Sequence, residues 1–386
     1  MDNVRLETAL SMPVGFMFGE ASSLGTPTTA APAAPSLGPL AAFTGTFRGS
    51  GFNTIFRPDN PETPTKLPVP VSSDNVLELN LTEETLSFSS SLGSVPNRGE
   101  VQGDITLNGV PYLQVISDVT IPSQPIGIHF EPGLWMVVPV TTEPAEKASV
   151  VRMASIPHGA TIEAQGSSST VAGKPTIAAI NITPFTTGQP DTTANQVPFP
   201  SQTAATGGTA RIPQDLAPFI KAGTITQAML SDPTVLLRDH IASQTITSTT
   251  VLSISTSPAA PLTGGGTDNI AFLLGKAGAP NAQALKMEAT FWIETVEFSI
   301  DVPVFEPGQP ALIIPANAGA AGQPVPEFLV SPPIPITTPR TIKVAATQIQ
   351  YAQQVFLNFN GLTWPHVSVA TLVPAATLPV PASAWT

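Results

Sequence analysis

Short runs in which apolar and polar residues alternate recur along the chain, separated by turn formers. In 75–81 the apolar side chains are Leu77, Leu79 and Leu81; in 101–107 they are Val101, Ile105 and Leu107, with Gln102, Asp104 and Thr106 between. A period of two sets one face of a strand against a core, so each run predicts a strand with one buried face. Further strand-like runs follow over 86–88, 111–119, 126–139 and 149–156. Later ones cover 245–255, 269–274 and 285–300, and in the last Leu285, Met287, Ala289, Phe291 and Ile293 alternate with Lys286, Glu288, Thr290, Trp292 and Glu294. Two closing antiparallel strands, 341–359 and 365–373, are joined at Asn360-Gly361, a strong turn signal, by a connection longer than the two-residue hairpin. Helix candidates are 215–230 and 234–242, the second opened by Asp232-Pro233 with Asp as cap and Pro in the first turn.

The rest is punctuation. The 43 prolines and 29 glycines interrupt the chain too often for long helices, which makes the protein mainly β with the spacing of a barrel or sandwich. Residues 1–40 carry Thr/Ala/Pro runs without a period and predict an extended arm, 167–214 is a polar loop segment, and 303–340 is a Pro-rich crossing.

Composition narrows the functions. Of 386 residues 15 are Lys or Arg and 27 Asp or Glu, a net charge of −12, a balance that disfavours nucleic acid as a partner. Charged residues are 11% of the chain against about a quarter in ordinary globular proteins. There is no cysteine, hence no disulfide, thiolate nucleophile or iron–sulfur cluster. No run approaches the ~18 apolar residues of a membrane span, and the start lacks a signal-peptide pattern, so a soluble, cytoplasmic protein is expected. Low charge and apolar strand edges suit a homodimer.

Walker, G-x-G-x-x-G, H-E-x-x-H and G-x-S-x-G signatures are absent. The four histidines are His129, His158, His240 and His366. His366 opens the last strand beside Trp364, on the face opposite Val367 and Val369; it reads as a core imidazole, an axial ligand or a general base. His129 and Glu131 share one side of a strand, where the carboxylate can fix the imidazole or form a surface ion pair ahead of Pro132-Gly133. His158 reads as a turn residue and His240 as structural.

Four segments in order resemble the nitrobindin-like family of haem-binding β-barrels, relatives in shape of lipocalins and fatty-acid-binding proteins. Gly45-Thr46-Phe47-Arg48-Gly49-Ser50-Gly51 is similar to the opening Gly-x-Trp-x-Gly-x-Gly strand, with Phe47 in place of Trp. His129-Phe130-Glu131-Pro132-Gly133 resembles the His-x-Glu-x-Gly turn, 154–166 with Gly159, Glu163 and Gly166 the following strand pair, and Pro365-His366-Val367-Ser368-Val369 the closing strand. The resemblance implies a calycin-like antiparallel β-barrel with a large inserted segment: first barrel strands in 41–166, an insertion over 167–340, closing strands in 341–375 and a tail over 376–386.

It also implies haem b held by His366 as iron ligand, with Trp364 and Thr54 as cofactor-pocket candidates and His129 and Glu131 as catalytic candidates. Haem so held reacts with nitric oxide, peroxynitrite or peroxide, as a peroxynitrite isomerase or peroxidase-like activity requires. One alternative is a haem-free, lipocalin-like barrel that binds or transforms an apolar small molecule, with His129 and Glu131 as acid–base pair and Trp135, Phe291 and Trp292 lining the cavity. Another is a structural or assembly protein, suggested by low charge and the arm.

Overall fold

The computed structural model describes residues 35–319 and 322–385. Ten long strands form its frame: β1 (Gly45–Pro58), β2 (Asn75–Phe88), β3 (Ile105–Asp118), β4 (Ile126–Val138), β5 (Ser149–Ile156), β6 (Ala160–Ala172), β7 (Thr245–Ser255), β8 (Gln283–Val302), β9 (Arg340–Phe359) and β10 (Leu362–Pro374). Each pairs antiparallel with the next in sequence, and β10 returns to β1 through Phe47↔Pro374 to Thr54↔Val367. The result is a closed up-and-down antiparallel barrel with no free edge, a calycin-like architecture.

Closure brings β1 hard against β10. A Cβ on Gly49 would sit 2.0 Å from the Thr371 carbonyl oxygen and one on Gly51 2.2 Å from that of Val369, so neither position admits a side chain.

Alternation sorts the side chains into two cores. On β8, Met287, Ala289, Phe291 and Ile293 face the barrel interior with Phe47, Phe88, Tyr112, Trp135 and Tyr351. Trp292, Val296, Phe298 and Ile300 face outward, where Phe52, Phe56, Leu77, Leu79, Val367 and Val369 join them under a cover drawn from 173–244, 303–336 and the C-terminal residues. Each such buried apolar side chain contributes roughly 1.5–3 kcal/mol. The cover holds α1 (Ala217–Ala222), α2 (Gln227–Ser231) and α3 (Val235–Ala242), and a small sheet of Leu312–Pro315, Glu327–Val330 and Leu378–Pro379.

Several local expectations change. Residues 101–104 precede β3, with Val101 77% exposed. The single helix expected over 215–230 is two, because Gly223 ends α1 in the left-handed region at φ 71° and Thr226 caps a new start. Asn360 and Gly361, at φ 49° and 75°, make the whole β9–β10 connection, a two-residue hairpin. Of the arm expected over 1–40, residues 1–34 lie outside the described residues; Leu40 is fully buried in the inner core. Among the described residues no helix is long and apolar enough to cross a membrane.

Candidate functional site

The floor of the barrel is aromatic. Phe43 stacks on Phe88 at 4.4 Å, and rings lead from Phe43 to Trp135 (5.5 Å), from Trp135 to Phe291 (5.1 Å) and from Phe291 to Tyr351 (5.3 Å).

Above it lies a buried polar layer built on Arg152, which alternation along β5 sends inward. Its guanidinium donates to Tyr112 Oη (2.7 Å), Gln353 Oε1 (2.6 Å) and Gln114 Oε1 (3.3 Å), and pairs with Glu131. Glu131, on β4, also accepts the Tyr112 hydroxyl proton and a bond from His129 Nε2 at 3.0 Å. Burial alone would push this carboxyl up, but Arg152, His129 and Tyr112 outweigh it and hold the pKa down to about 2. A second carboxylate, Glu84 on β2, accepts from Tyr351 Oη (2.6 Å) and Thr82 Oγ1 (2.9 Å); among the described residues no cation is bonded to it, and burial pushes it up.

At the end of the barrel where β4 starts and β1 ends, three histidines gather. His129 and His158 rings are 5.8 Å apart, and His158 Nε2 bonds the Ile128 carbonyl oxygen at 3.0 Å. His366 faces inward from β10 with Ser368 and Ala370. Asn53 on β1 donates to His366 Nε2 (2.7 Å) and to Ser368 Oγ (2.8 Å), and is itself held by Asn80 (3.1 Å). Burial, aided by His129 and His158, pushes His366 down to about 3, so the imidazole is neutral and Nε2 presents its lone pair. It retains some accessible surface, as do its β9 neighbours Val355 and Gln353.

The other sequence candidates lie elsewhere. Thr54 alternates with Asn53 and so belongs to the outer face beside Phe52 and Phe56; its buried Oγ1 has no partner among the described residues. Trp364 stacks on Phe359 (4.5 Å), leans on Phe56 and Phe199, and donates from Nε1 to the Phe359 carbonyl (2.9 Å), a packed indole of the outer core. Trp135 and Phe291 are inside, whereas Trp292 is outside and helps line a groove of about 620 Å³ with Ser253, Ser255 and Thr290. Sequence reasoning passed over Arg152, Tyr112, Glu84, Gln114 and Asn53. A charged residue in the apolar run Val150-Val151-Arg152-Met153 was the one available signal.

Among the described residues no three His, Asp or Glu side chains converge to hold a metal ion. Iron in a porphyrin would bring its other ligands with it and would need only His366 from the described residues. The neutral, inward-facing imidazole would suit that role chemically, its Nε2 lone pair, which accepts from Asn53, being the donor available. Thr54 and Trp364 do not fit it, since they border the outer core.

No protein-family model matches the chain, and no curated protein matches it. The crystal structure of Rv2717c from M. tuberculosis aligns over 89% of this chain and 99% of its own, with 11% identity and a TM-score of 0.35. The fold therefore rests on the strand pairing described above.

Proposed function

We propose that the protein binds haem b inside the histidine-bearing end of the barrel, with His366 as the protein's ligand to iron. The observation that carries this is His366 itself: neutral, on the inner face, partly accessible, and backed by Asn53. When bound, haem supplies an iron that reacts with nitric oxide, peroxynitrite or peroxide. The chain contributes the rest. Asn53 orients the imidazole through the Asn80 and Ser368 bonds, and Glu131, kept ionised by Arg152, holds His129 where it can accept or return a proton.

Titration of the purified protein with hemin tests this, run beside His366→Ala with folding checked by near-ultraviolet circular dichroism. A saturable one-to-one visible band that His366→Ala loses is expected. No band, or one that His366→Ala retains, overturns the proposal.

A second reading, an iron-free barrel that handles an apolar ligand by acid–base chemistry, is favoured by the 3.0 Å His129–Glu131 contact. It predicts an apolar compound released by organic extraction from protein that takes up no hemin.

A further inference from the structure

The sequence holds two tyrosines in 386 residues, and both are inside the barrel, each with its hydroxyl on a buried glutamate. Such a phenol can lose its electron and proton together, because the acceptor for the proton is already in place. The two sites differ in charge. Tyr112 Oη accepts from Arg152 Nε at 2.7 Å, and the guanidinium carbon lies 5.4 Å from its ring centroid, so a fixed positive charge opposes electron loss.

Among the described residues no cation is hydrogen-bonded to Tyr351, and Arg152 acts on it only through space, less strongly than Glu84. Its hydroxyl donates to Glu84 Oε2 at 2.6 Å and accepts from Gln114 Nε2 at 3.0 Å. Its ring stacks on Phe291, which leads to Trp135.

We propose that Tyr351 is a redox-active tyrosine, the residue on which a one-electron oxidation of this protein comes to rest, with Glu84 as its proton acceptor and Gln114 as the donor that steadies the phenoxyl oxygen. With azide radical as oxidant the step balances. The radical takes one electron and becomes azide ion, the Tyr351 O–H bond breaks, and the proton forms a new O–H bond on Glu84 Oε2. Tyr351 is left as a neutral phenoxyl radical that keeps the Gln114 hydrogen bond.

Burial and the Glu84 charge push the Tyr351 phenol up, so its proton stays until the electron leaves. Burial likewise raises Glu84, which makes it a stronger base than Glu131, whose carboxyl Arg152 holds low.

Pulse radiolysis of the full chain with azide radicals, read by transient absorption and electron paramagnetic resonance, tests the inference. A neutral phenoxyl signal is expected that persists in Tyr112→Phe and is mostly lost in Tyr351→Phe. Glu84→Gln keeps a hydrogen-bond acceptor but removes the base, and should slow formation of the radical. Circular dichroism shows whether each variant is folded. A signal that survives Tyr351→Phe, one confined to tryptophan, or a rate unchanged in Glu84→Gln overturns the proposal. The oxidant comes from solution, so hemin uptake and this result succeed or fail separately.

Discussion

Two glutamates on opposite sides of one barrel wall, both 0% exposed, meet opposite fates. Glu131, inside, receives Arg152, Tyr112 and His129 and is held down to about 2. Glu294, outside beneath the cover, receives only Gln348 Nε2 at 2.7 Å among the described residues, which leave its Oε1 without a partner, and burial pushes it up to about 7. Burial is common to both; the donors that reach the carboxylate decide its charge. The Arg152 site is thus built to keep an ion pair, and the Glu294 site to keep a carboxyl neutral below neutrality.

The sharpest way to break this contrast is to remove the inner cation. Arg152→Met leaves the buried Glu131 with only its His129 and Tyr112 bonds and no guanidinium, which should cost about 3–5 kcal/mol. Urea unfolding at neutral pH measures it. The double variant Arg152→Met/Glu131→Gln should recover most of the loss, because the penalty lies in the stranded charge rather than in the absent pair. A single variant that loses less than about 1 kcal/mol would show that the inner layer is wetter than its burial implies.

Acid and base limbs of the stability curve sharpen it further. For Glu294 the unfolded carboxyl titrates near 4.5 and the folded one near 7, so the folded protein holds the extra proton between those values. Stability from this group therefore falls as pH rises through that window and levels off above it. Glu294→Gln should match wild type at pH about 4 and exceed it by about 2–3 kcal/mol at pH about 8. Glu131 runs the other way: its contribution is present above 4.5 and is lost as pH falls toward about 2. Thermal melts across pH for wild type and Glu294→Gln separate the two limbs; parallel curves would deny Glu294 its role.

How far the sequence reaches follows from what each signal encodes. Alternation in β8 fixes which residues share a face from Met287 onward, though a bulge after Ala284 leaves Leu285 46% exposed, and Asn360-Gly361 fixes a hairpin, because both are local backbone matters. The i, i+2 spacing of His129 and Glu131 likewise fixes a shared face. Alternation does not say which face is the barrel interior, so Thr54 could be set beside His366 although it points to the outer core. Val101 has the spacing of a strand residue yet lies in a loop, where no partner strand takes up the run. Asn53 and His366 are 313 residues apart, and Arg152 meets Gln353 across 201; such contacts exist only once the barrel has closed.

The smallest effect belongs to the cover. Thr226 caps α2, its Oγ1 accepting from the Met229 amide at 3.3 Å, and α2 sets Met229 and Leu230 against the outer core. Thr226→Ala leaves that amide without its cap and should cost about 1 kcal/mol. The wall strands are held by ladders running right round the barrel, whereas a five-residue helix depends on its ends. Amide hydrogen exchange should therefore quicken over Gln227–Ser231 and stay unchanged in β3, β4 and β5 around Arg152. Faster exchange in those strands as well would mean that cover and barrel open as one unit, and the inner ion pair would then owe part of its isolation to the helices outside.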